Sequence, residues 1–293
     1  MQMVFLFFMT RKYLKINWRF PFQRVVKAFR DSAPYFIGSL FGVIYYKTDV
    51  LVLGFLRSNE EVGYYAAPLQ IYQFCLMTIA AVNTVIYPPL IVLYKKGLQH
   101  FRPAVYDITR YLAVFLFGMI FGLLALPEEI IYWIFGQSFG PSVWVLRAFA
   151  FMLLFAYPIP MFNTILIALD RQLYVSFVTG STALINIVAS LILVPKYSFH
   201  GAVYATMISI VTAFLLLFFA MRRCMNYRLP WSSIVRAALA AGCMFAAVRF
   251  LADKAHVLVL VIAGAILYGI SLLILRYFND EDRAFLKSFL LNR

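Results

Sequence analysis

The stretch 35–56, YFIGSLFGVIYYKTDVLVLGFL, contains two opposite charges inside an apolar segment long enough to cross a membrane. A charge near the middle of a bilayer costs at least about 2.5–3.5 kcal/mol, so Lys47 and Asp49 each need a polar cavity or a buried partner. Because they are two residues apart, they point about 200° away from each other around a helix. Asp49 instead shares its face with Tyr45 and Tyr46. This pattern predicts either a polar translocation path lined by Asp49 or Lys47, or a buried pair with another helix.

Other polar residues fall inside apolar runs. Asn83, Asn163 and Asn186 each need a hydrogen-bond partner in the membrane, which is either another helix or a polar lumen. Arg147 lies near one end of its run, where it can extend to the interface or meet an anionic headgroup. Asn186 belongs to a stripe at helical spacing, whose members are Thr179, Thr182, Asn186 and Ser190.

Two further patterns concern the helices that carry these residues. Pro158 and Pro160 precede Asn163 and predict a broken helix with freed carbonyl groups. A later run has a small-residue face, for which we favour close helix packing over transport. The members of this face are Gly201, Ala202, Ala205, Thr206, Ser209 and Thr212.

The composition indicates which elements position these residues. Of the 293 residues, 64% are hydrophobic and only 13% are charged, so we predict an all-α polytopic membrane protein. The net charge of +14 does not indicate a nucleic-acid partner, because the basic residues cluster in short loops. Cys75, Cys224 and Cys243 fit no metal motif and read as buried, inert thiols. Without a nucleotide, zinc or nucleophile motif, we expect no enzyme, cofactor or metal site.

The apolar runs predict four regions. Residues 1–9 form an apolar stump, expected to be the end of a truncated helix, and 10–34 form a basic cytoplasmic loop with an interfacial helix. Residues 35–276 form an eight-helix transmembrane domain, and 277–293 form a cytoplasmic amphipathic tail. The eight helices are expected near 35–56, 64–94, 111–134, 143–168, 173–194, 201–221, 235–252 and 257–276. Pro68 and the Pro88-Pro89 pair suggest a kink or an early stop in the second helix.

The distribution of Lys and Arg predicts the orientation in the membrane. One set of loops and flanks contains 20 basic residues, and the opposite set contains 4. The basic side is cytoplasmic in multi-pass membrane proteins. We therefore expect a multi-pass membrane protein with both termini in the cytoplasm.

Several motifs at helix ends resemble one transporter family. A helix with an embedded Asp ends in a short loop, and the next helix opens with Gly-Tyr-Tyr-Ala. Later, a helix ends at Pro and Gly-Ala opens its successor. These segments are TDVLVLGFLRSNEEVGYYAAPLQI (48–71), YPPL (87–90), PEEIIYWIFGQSFGPS (127–142), ILIALDRQ (165–172) and LVPKYSFHGAVYAT (193–206). Together they resemble the O-antigen or polysaccharide flippases of the multidrug/oligosaccharidyl-lipid/polysaccharide (MOP) superfamily, in their C-terminal part only.

The resemblance implies a fold and a set of roles. About eight transmembrane helices would correspond to the C-terminal lobe, plus extra helices, of a MATE-like two-lobe transporter. An undecaprenyl-diphosphate-linked oligosaccharide would move across the bilayer by alternating access for lipopolysaccharide or related synthesis. Lys47 or Arg147 would attract diphosphate, Asp49 would titrate or bind a coupling cation, and Tyr45 and Tyr46 would stack on sugars. A missing N-terminal lobe or a second copy would complete the cavity.

Three alternatives stay open at the level of sequence. A drug/cation antiporter of the same superfamily would be favoured by several embedded acids, but Asp49 is the one clearly embedded acid in the sequence. A sugar polymerase or ligase would need a substantial outer loop, and the longest, 127–142, has Glu128 and Glu129 but no basic residue. An inactive fragment is the third.

Overall fold

The computed structural model describes residues 48–252 and 256–277. Every regular element in these two ranges is helical. The predicted regions 1–9 and 10–34, most of the tail 277–293, and the site candidates Tyr45, Tyr46 and Lys47 lie outside the described residues. The helices are α1 (48–56), α2 (Asn59–Lys95), α3 (Leu98–Ala125), α4 (Pro127–Phe135), α5 (Ser142–Ala156), α6 (Ile159–Ala168), α7 (Gln172–Met225), α8 (Trp231–Leu251) and α9 (Val257–Ile274).

Six spans within the described ranges are long and apolar enough to cross a membrane, with α5 and α6 together forming one of them. The predicted all-α, multi-spanning class is therefore confirmed. α2 packs against α3, α5, α6 and α7, whereas α8 packs between α3 and α9. The prediction that the cysteine thiols are buried is confirmed for Cys75 and is wrong for Cys243, which is exposed on α8.

α2 is a single continuous helix of 37 residues. Ser58 and Glu61 form a capping box that satisfies two of the free backbone N–H groups at the start of the helix. The expected early stop at Pro88-Pro89 is wrong, because α2 continues past both prolines to Lys95. Beyond them, Leu90 is fully buried against the core, which holds this last part of α2 against its neighbours.

The third helix begins earlier than its hydropathy indicates. α3 starts at Leu98, whereas the apolar run predicted a start near 111. Phe101 and Val105 are fully buried, so the polar first turns are held helical by packing on the core. The predicted C-terminal end at 134 is also wrong, because α3 ends at Ala125 and α4 is a separate helix with Pro127 in its first turn.

The predicted break before Asn163 is present. α5 ends at Ala156, and α6 begins at Ile159 after a two-residue turn. Tyr157 and Pro158 keep right-handed helical dihedral angles, so the two helices continue in one span. Pro at the first positions of a helix costs nothing there, because its missing N–H would have no partner inside the helix.

α7 is a helical hairpin rather than one rod. Its 54 residues would extend about 80 Å, more than twice the thickness of a hydrocarbon core. Ser198 is non-helical, with φ 55° and ψ −136°, and it divides α7 into an N-terminal leg (172–197) and a C-terminal leg (199–225). The Tyr174 hydroxyl donates to the Leu216 carbonyl oxygen at 3.0 Å, which pairs the far ends of antiparallel legs.

Gly201 is required where the two legs meet. A Cβ atom on Gly201 would lie 2.2 Å from the carbonyl oxygen of Leu193, closer than any real contact of that kind. The two backbones therefore touch directly at the start of the C-terminal leg. The predicted packing role of this small-residue face is confirmed for the fully buried Ala202 and Ala205.

Candidate functional site

The carboxylate of Asp49 on α1 is the centre of a buried polar network. The Tyr65 hydroxyl donates to Oδ2 at 3.0 Å, and the Thr206 hydroxyl donates to the same oxygen at 2.7 Å. The Ser190 hydroxyl donates to Oδ1 at 3.2 Å, and the Asn186 side chain also hydrogen-bonds to the carboxylate. We call these five residues the Asp49 cluster.

The hairpin explains why residues so distant in sequence meet here. Asn186 and Ser190 are one turn apart on the N-terminal leg of α7, so they share a face. Antiparallel pairing of the legs places Thr206 opposite Ser190, and both hydroxyls bond to Asp49. Tyr65 lies two turns into α2, and its ring packs edge-on against Phe149 at 5.6 Å, which holds its hydroxyl towards the carboxylate.

The cluster carries one acidic group and is partly buried, since Asp49 and Thr206 are half-buried. Tyr65 and Ser190 are fully buried, and Asn186 is 3% exposed. Every partner of Asp49 among the described residues is neutral. The Asn186 carbonyl oxygen is buried and has no hydrogen-bond donor. A carboxylate surrounded by hydroxyl and amide oxygens can hold a proton or a small hard cation, because such cations prefer oxygen ligands.

A second contact fixes α1 on the hairpin near the bend. The Arg57 guanidinium donates to the carbonyl oxygens of Pro195 at 2.6 Å and Val194 at 3.4 Å. These oxygens belong to the last turn before the bend, where carbonyl groups lack partners within the helix. α1 therefore contacts α7 at two levels, at the Asp49 cluster and at this carbonyl end.

The predicted site residues fall into separate places. Asn186 joins Asp49, as the polar stripe indicated. Asn83 is half-buried on α2 and Asn163 is half-buried on α6, and neither is among the residues that bond to Asp49. The side-chain carbonyl oxygen of Asn163 is buried and has no hydrogen-bond donor among the described residues. The partner that the sequence predicted for this amide is therefore not present there.

Arg147 lies in a different pocket, at the bend of the hairpin. Its guanidinium pairs with the Glu128 carboxylate at 2.8 Å, and both side chains are nearly half exposed. The pocket has a volume of about 390 Å³, and its lining includes Trp144 and His200, whose rings lie 4.5 Å apart. Arg147 is therefore partly neutralised by an acid that the sequence analysis did not assign to it.

Three members of the Asp49 cluster were not predicted as site residues. Tyr65 lies inside the Gly-Tyr-Tyr-Ala motif at 63–66, which was used for the resemblance but given no role. Ser190 belongs to the polar stripe, one turn after Asn186, and that spacing was the available signal. Thr206 lies on the small-residue face, where a packing role was favoured. The contact with Asp49 corrects that interpretation for Thr206.

The fold and the site together define a class: an all-helical, multi-spanning membrane protein with an acid-centred polar cluster between its helices. Comparisons with known proteins agree with this class. A family model described as "Polysaccharide biosynthesis protein" matches residues 1–144. A solved structure, "Lipid II flippase MurJ, inward closed conformation", matches with a TM-score of 0.76 at 18% sequence identity. A comparison with curated proteins finds no match.

The structural match covers 92% of this chain and 59% of the flippase chain, so this chain spans less than two thirds of that relative's length. At this identity the match establishes the fold. The family match over the first 144 residues is to polysaccharide biosynthesis proteins, in agreement with the predicted resemblance.

Proposed function

We propose that the chain takes part in moving a lipid-linked oligosaccharide across the bacterial inner membrane for surface polysaccharide synthesis. The family match and the flippase-type fold support transport of a lipid-linked substrate, and they favour a transporter over an enzyme. The Asp49 cluster is the observation that carries the proposal, because a half-buried acid that is bonded only to neutral groups among the described residues of a membrane helix is costly. Such residues in membrane helices mark transport paths or proton and ion sites.

The Asp49 cluster is proposed to couple ion binding to helix position. Its ligands come from α1, α2 and both legs of α7, so an occupied site holds these elements together. A proton or cation neutralises the carboxylate and lowers the cost of keeping it away from water. Loss of the ion leaves a charged group that favours hydration and separation of the helices. The helices are thus held together when the ion is bound and separate when it is lost, and alternating access requires such a pair of states.

The remaining roles follow the sequence resemblance. Lys47 and Arg147 are proposed to attract the substrate diphosphate, and Tyr45 and Tyr46 to stack on sugar rings. Asn83 and Asn163 are proposed to line the path with amide groups. Undecaprenyl diphosphate is the proposed lipid carrier. A second set of helices, from another lobe or a second copy of the chain, is proposed to complete the wall, since the matched flippase is longer.

The transport proposal is tested with the purified chain in vesicles that contain fluorescent undecaprenyl-diphosphate oligosaccharide. A membrane-impermeant reagent then reports how much sugar has crossed. We expect Asp49→Asn to reduce the rate by at least about tenfold, because a coupling energy of 1.4 kcal/mol already corresponds to that factor. Asp170→Asn is the matched control, since Asp170 is exposed at a left-handed turn that Asn also adopts.

The ion role has a separate test. Thermal unfolding in detergent is compared in sodium chloride, potassium chloride and choline chloride, and at several pH values, for the wild type and Asp49→Asn. An ion that binds the folded state raises the melting temperature with its concentration. Stabilisation that persists unchanged in Asp49→Asn would reject the cluster as the ion site. Wild-type vesicles that move no lipid-linked sugar would reject transport by this chain, or by copies of it, without a separate lobe.

A further inference from the structure

A second cavity lies at the opposite end of the helices from the hairpin bend, between the start of α3 and the linker that joins α7 to α8. Its volume is about 520 Å³, within the range of ligand sites in proteins. Seven residues line it: Arg102, Pro103, Tyr106, Met225, Asn226, Tyr227 and Arg228. None of the seven is acidic, and two are arginines.

The two arginines have no counter-charge in the described part of the chain. Arg102 and Arg228 are exposed, and neither forms an ion pair there. The acid nearest in sequence to this wall, Asp107, lies 3.9 Å from the Arg110 guanidinium instead. The cavity lining therefore combines two guanidinium groups that have no acidic partner in the described ranges with apolar residues that include Pro103 and Met225.

The linker that carries Arg228 is held in one position. The hydroxyls of Tyr227 and Thr109 lie 2.8 Å apart, which connects the linker to α3 about three turns after the start of that helix. Burial raises the pKa of Tyr227 to about 12, so this hydroxyl stays protonated at neutral pH. Asn226 ends α7 in the left-handed conformation, with φ 51°, and its N–H bonds to the Arg222 carbonyl oxygen at 3.0 Å.

The cavity lies at the depth of lipid headgroups. Trp231 begins α8 three residues after Arg228 and is 66% exposed. Exposed Trp and Tyr at helix ends mark the interface between hydrocarbon and water, and Tyr106 on the cavity wall is 40% exposed. A cavity at this depth that is lined by apolar residues and two arginines complements a phospholipid. The arginines match its anionic phosphate, and the apolar residues match its first methylene groups.

We propose that this cavity binds an anionic phospholipid, with Arg102 and Arg228 holding its headgroup phosphate. Guanidinium groups bind phosphate oxygens through paired, charge-assisted hydrogen bonds. The bound lipid would join the start of α3 to the α7–α8 linker on the face that the distribution of basic residues predicts to be cytoplasmic. This proposal is independent of the substrate and of the Asp49 cluster.

The experiment uses Trp231 as the reporter in the full 293-residue chain, after Trp18, Trp133 and Trp144 are replaced by Phe. Quenching by phosphatidylglycerol with brominated acyl chains is compared with quenching by brominated phosphatidylcholine. A hydrogen bond between charged groups contributes more than the diffuse attraction of a basic residue to an anionic surface. We expect Arg102→Gln or Arg228→Gln to weaken the relative affinity for phosphatidylglycerol at least about tenfold, and the double variant at least about 100-fold.

The matched control is Arg223→Gln, an exposed arginine in the last turn of α7 that does not line the cavity. We expect it to weaken the preference by no more than about fivefold, which is the diffuse attraction of one basic residue to an anionic surface. An equal loss in Arg223→Gln would overturn the proposal. Displacement of phosphatidylglycerol by millimolar inorganic phosphate would overturn the lipid assignment in favour of a free-phosphate site.

A folding defect is separated from a binding defect by the charge-conserving variants. Arg102→Lys and Arg228→Lys keep the cation but lose the paired donors, so we expect each to retain more of the preference for phosphatidylglycerol than the matching Gln variant and less than the wild type. Thermal unfolding of every variant is measured in phosphatidylcholine alone. Should the Lys variants lose the preference while unfolding at the wild-type temperature, a phosphate bound through its charge is excluded.

Discussion

Two regions of the molecule use different means to bring helices close together. In the hairpin region, formed by α1, α2 and α7, a carboxylate and its polar partners lie between the helices. In the α3–α8–α9 bundle, the buried cluster consists of alanines, larger apolar groups and two tyrosines, while Arg110 and Ser233 are buried polar residues on α3 and α8. The Tyr268 ring lies against Gly118, and its hydroxyl donates to the Val114 carbonyl oxygen at 2.8 Å.

The difference separates a region that can change from one that stays fixed. The bonds in the hairpin region depend on the charge of Asp49, so a proton or an ion can strengthen or weaken them together. Packing of small residues against rings does not respond to an ion. We therefore expect the α3–α8–α9 bundle to act as a fixed frame and the hairpin region to move relative to it.

The largest expected effect is that of Gly201→Ala. The added Cβ would meet a backbone carbonyl oxygen at 2.2 Å, so the legs of α7 must separate. We expect a loss of stability above about 4 kcal/mol, or failure to recover folded protein. Size-exclusion profiles and thermal unfolding in detergent measure this. A stable Gly201→Ala protein would show that the legs of α7 are not in backbone contact.

The next effect is that of Asp49→Ala, which removes the shared acceptor of the cluster. The buried hydroxyls of Tyr65 and Ser190 and the amide of Asn186 then lose a partner, at about 1–3 kcal/mol for each orphaned group. We expect destabilisation of about 3 kcal/mol or more, and a smaller loss for Asp49→Asn, which keeps an acceptor oxygen. Equal stability of the two variants would mean that the acceptor oxygen contributes nothing.

A smaller effect is expected in the frame. A Cβ on Gly118 would lie 2.9 Å from the Tyr268 ring, but a ring at the end of a side chain can shift where a backbone cannot. We expect Gly118→Ala to cost about 1–3 kcal/mol and to leave transport by the surviving folded protein unchanged. Unfolding and vesicle transport are measured on the same preparation. A transport defect without destabilisation would contradict the fixed frame.

The smallest effect is expected for Glu128→Gln. Its pair with Arg147 is nearly half exposed, and exposed pairs contribute about 0–1 kcal/mol. Stability should therefore change little, while the unpaired guanidinium becomes more available to a diphosphate. We expect the same or a faster rate of transport in vesicles. A large loss of stability would show that the Glu128–Arg147 pair stabilises the fold.

The sequence predicted the embedded residues better than it predicted their partners. Asp49 and Asn186 stood out because a polar group in an apolar run is costly wherever it lies. Thr206 did not, because a hydroxyl in a helix can donate to its own backbone, and the Ala202 carbonyl oxygen lies 2.9 Å from the Thr206 hydroxyl. The Asp49 carboxylate is the closer acceptor, at 2.7 Å, and its position depends on the register of the hairpin, which local spacing does not specify.

Helix ends were predicted less well than helix interiors for a related reason. Hydropathy identifies the part of a helix that contacts lipid, and α3 continues for more than three turns outside that part. Burial of Phe101 against the core maintains those turns, and this contact is long-range. The division of α7 at Ser198 was predicted, as separate helices near 173–194 and 201–221, because Pro195 and Gly201 are local signals for a helix end and a close approach.

The contact of Arg57 with the carbonyl end at Pro195 gives α1 a pivot. Asp49 lies eight residues away on the same helix, a rise of about 12 Å. If the Asp49 carboxylate loses its hydrogen bonds while the Arg57 guanidinium stays bound to α7, we expect α1 to rotate about its Arg57 end and to open a gap beside Tyr65. Replacement of Arg57 would remove this fixed point, and we expect that the proposed ion binding would then no longer be coupled to rotation of α1.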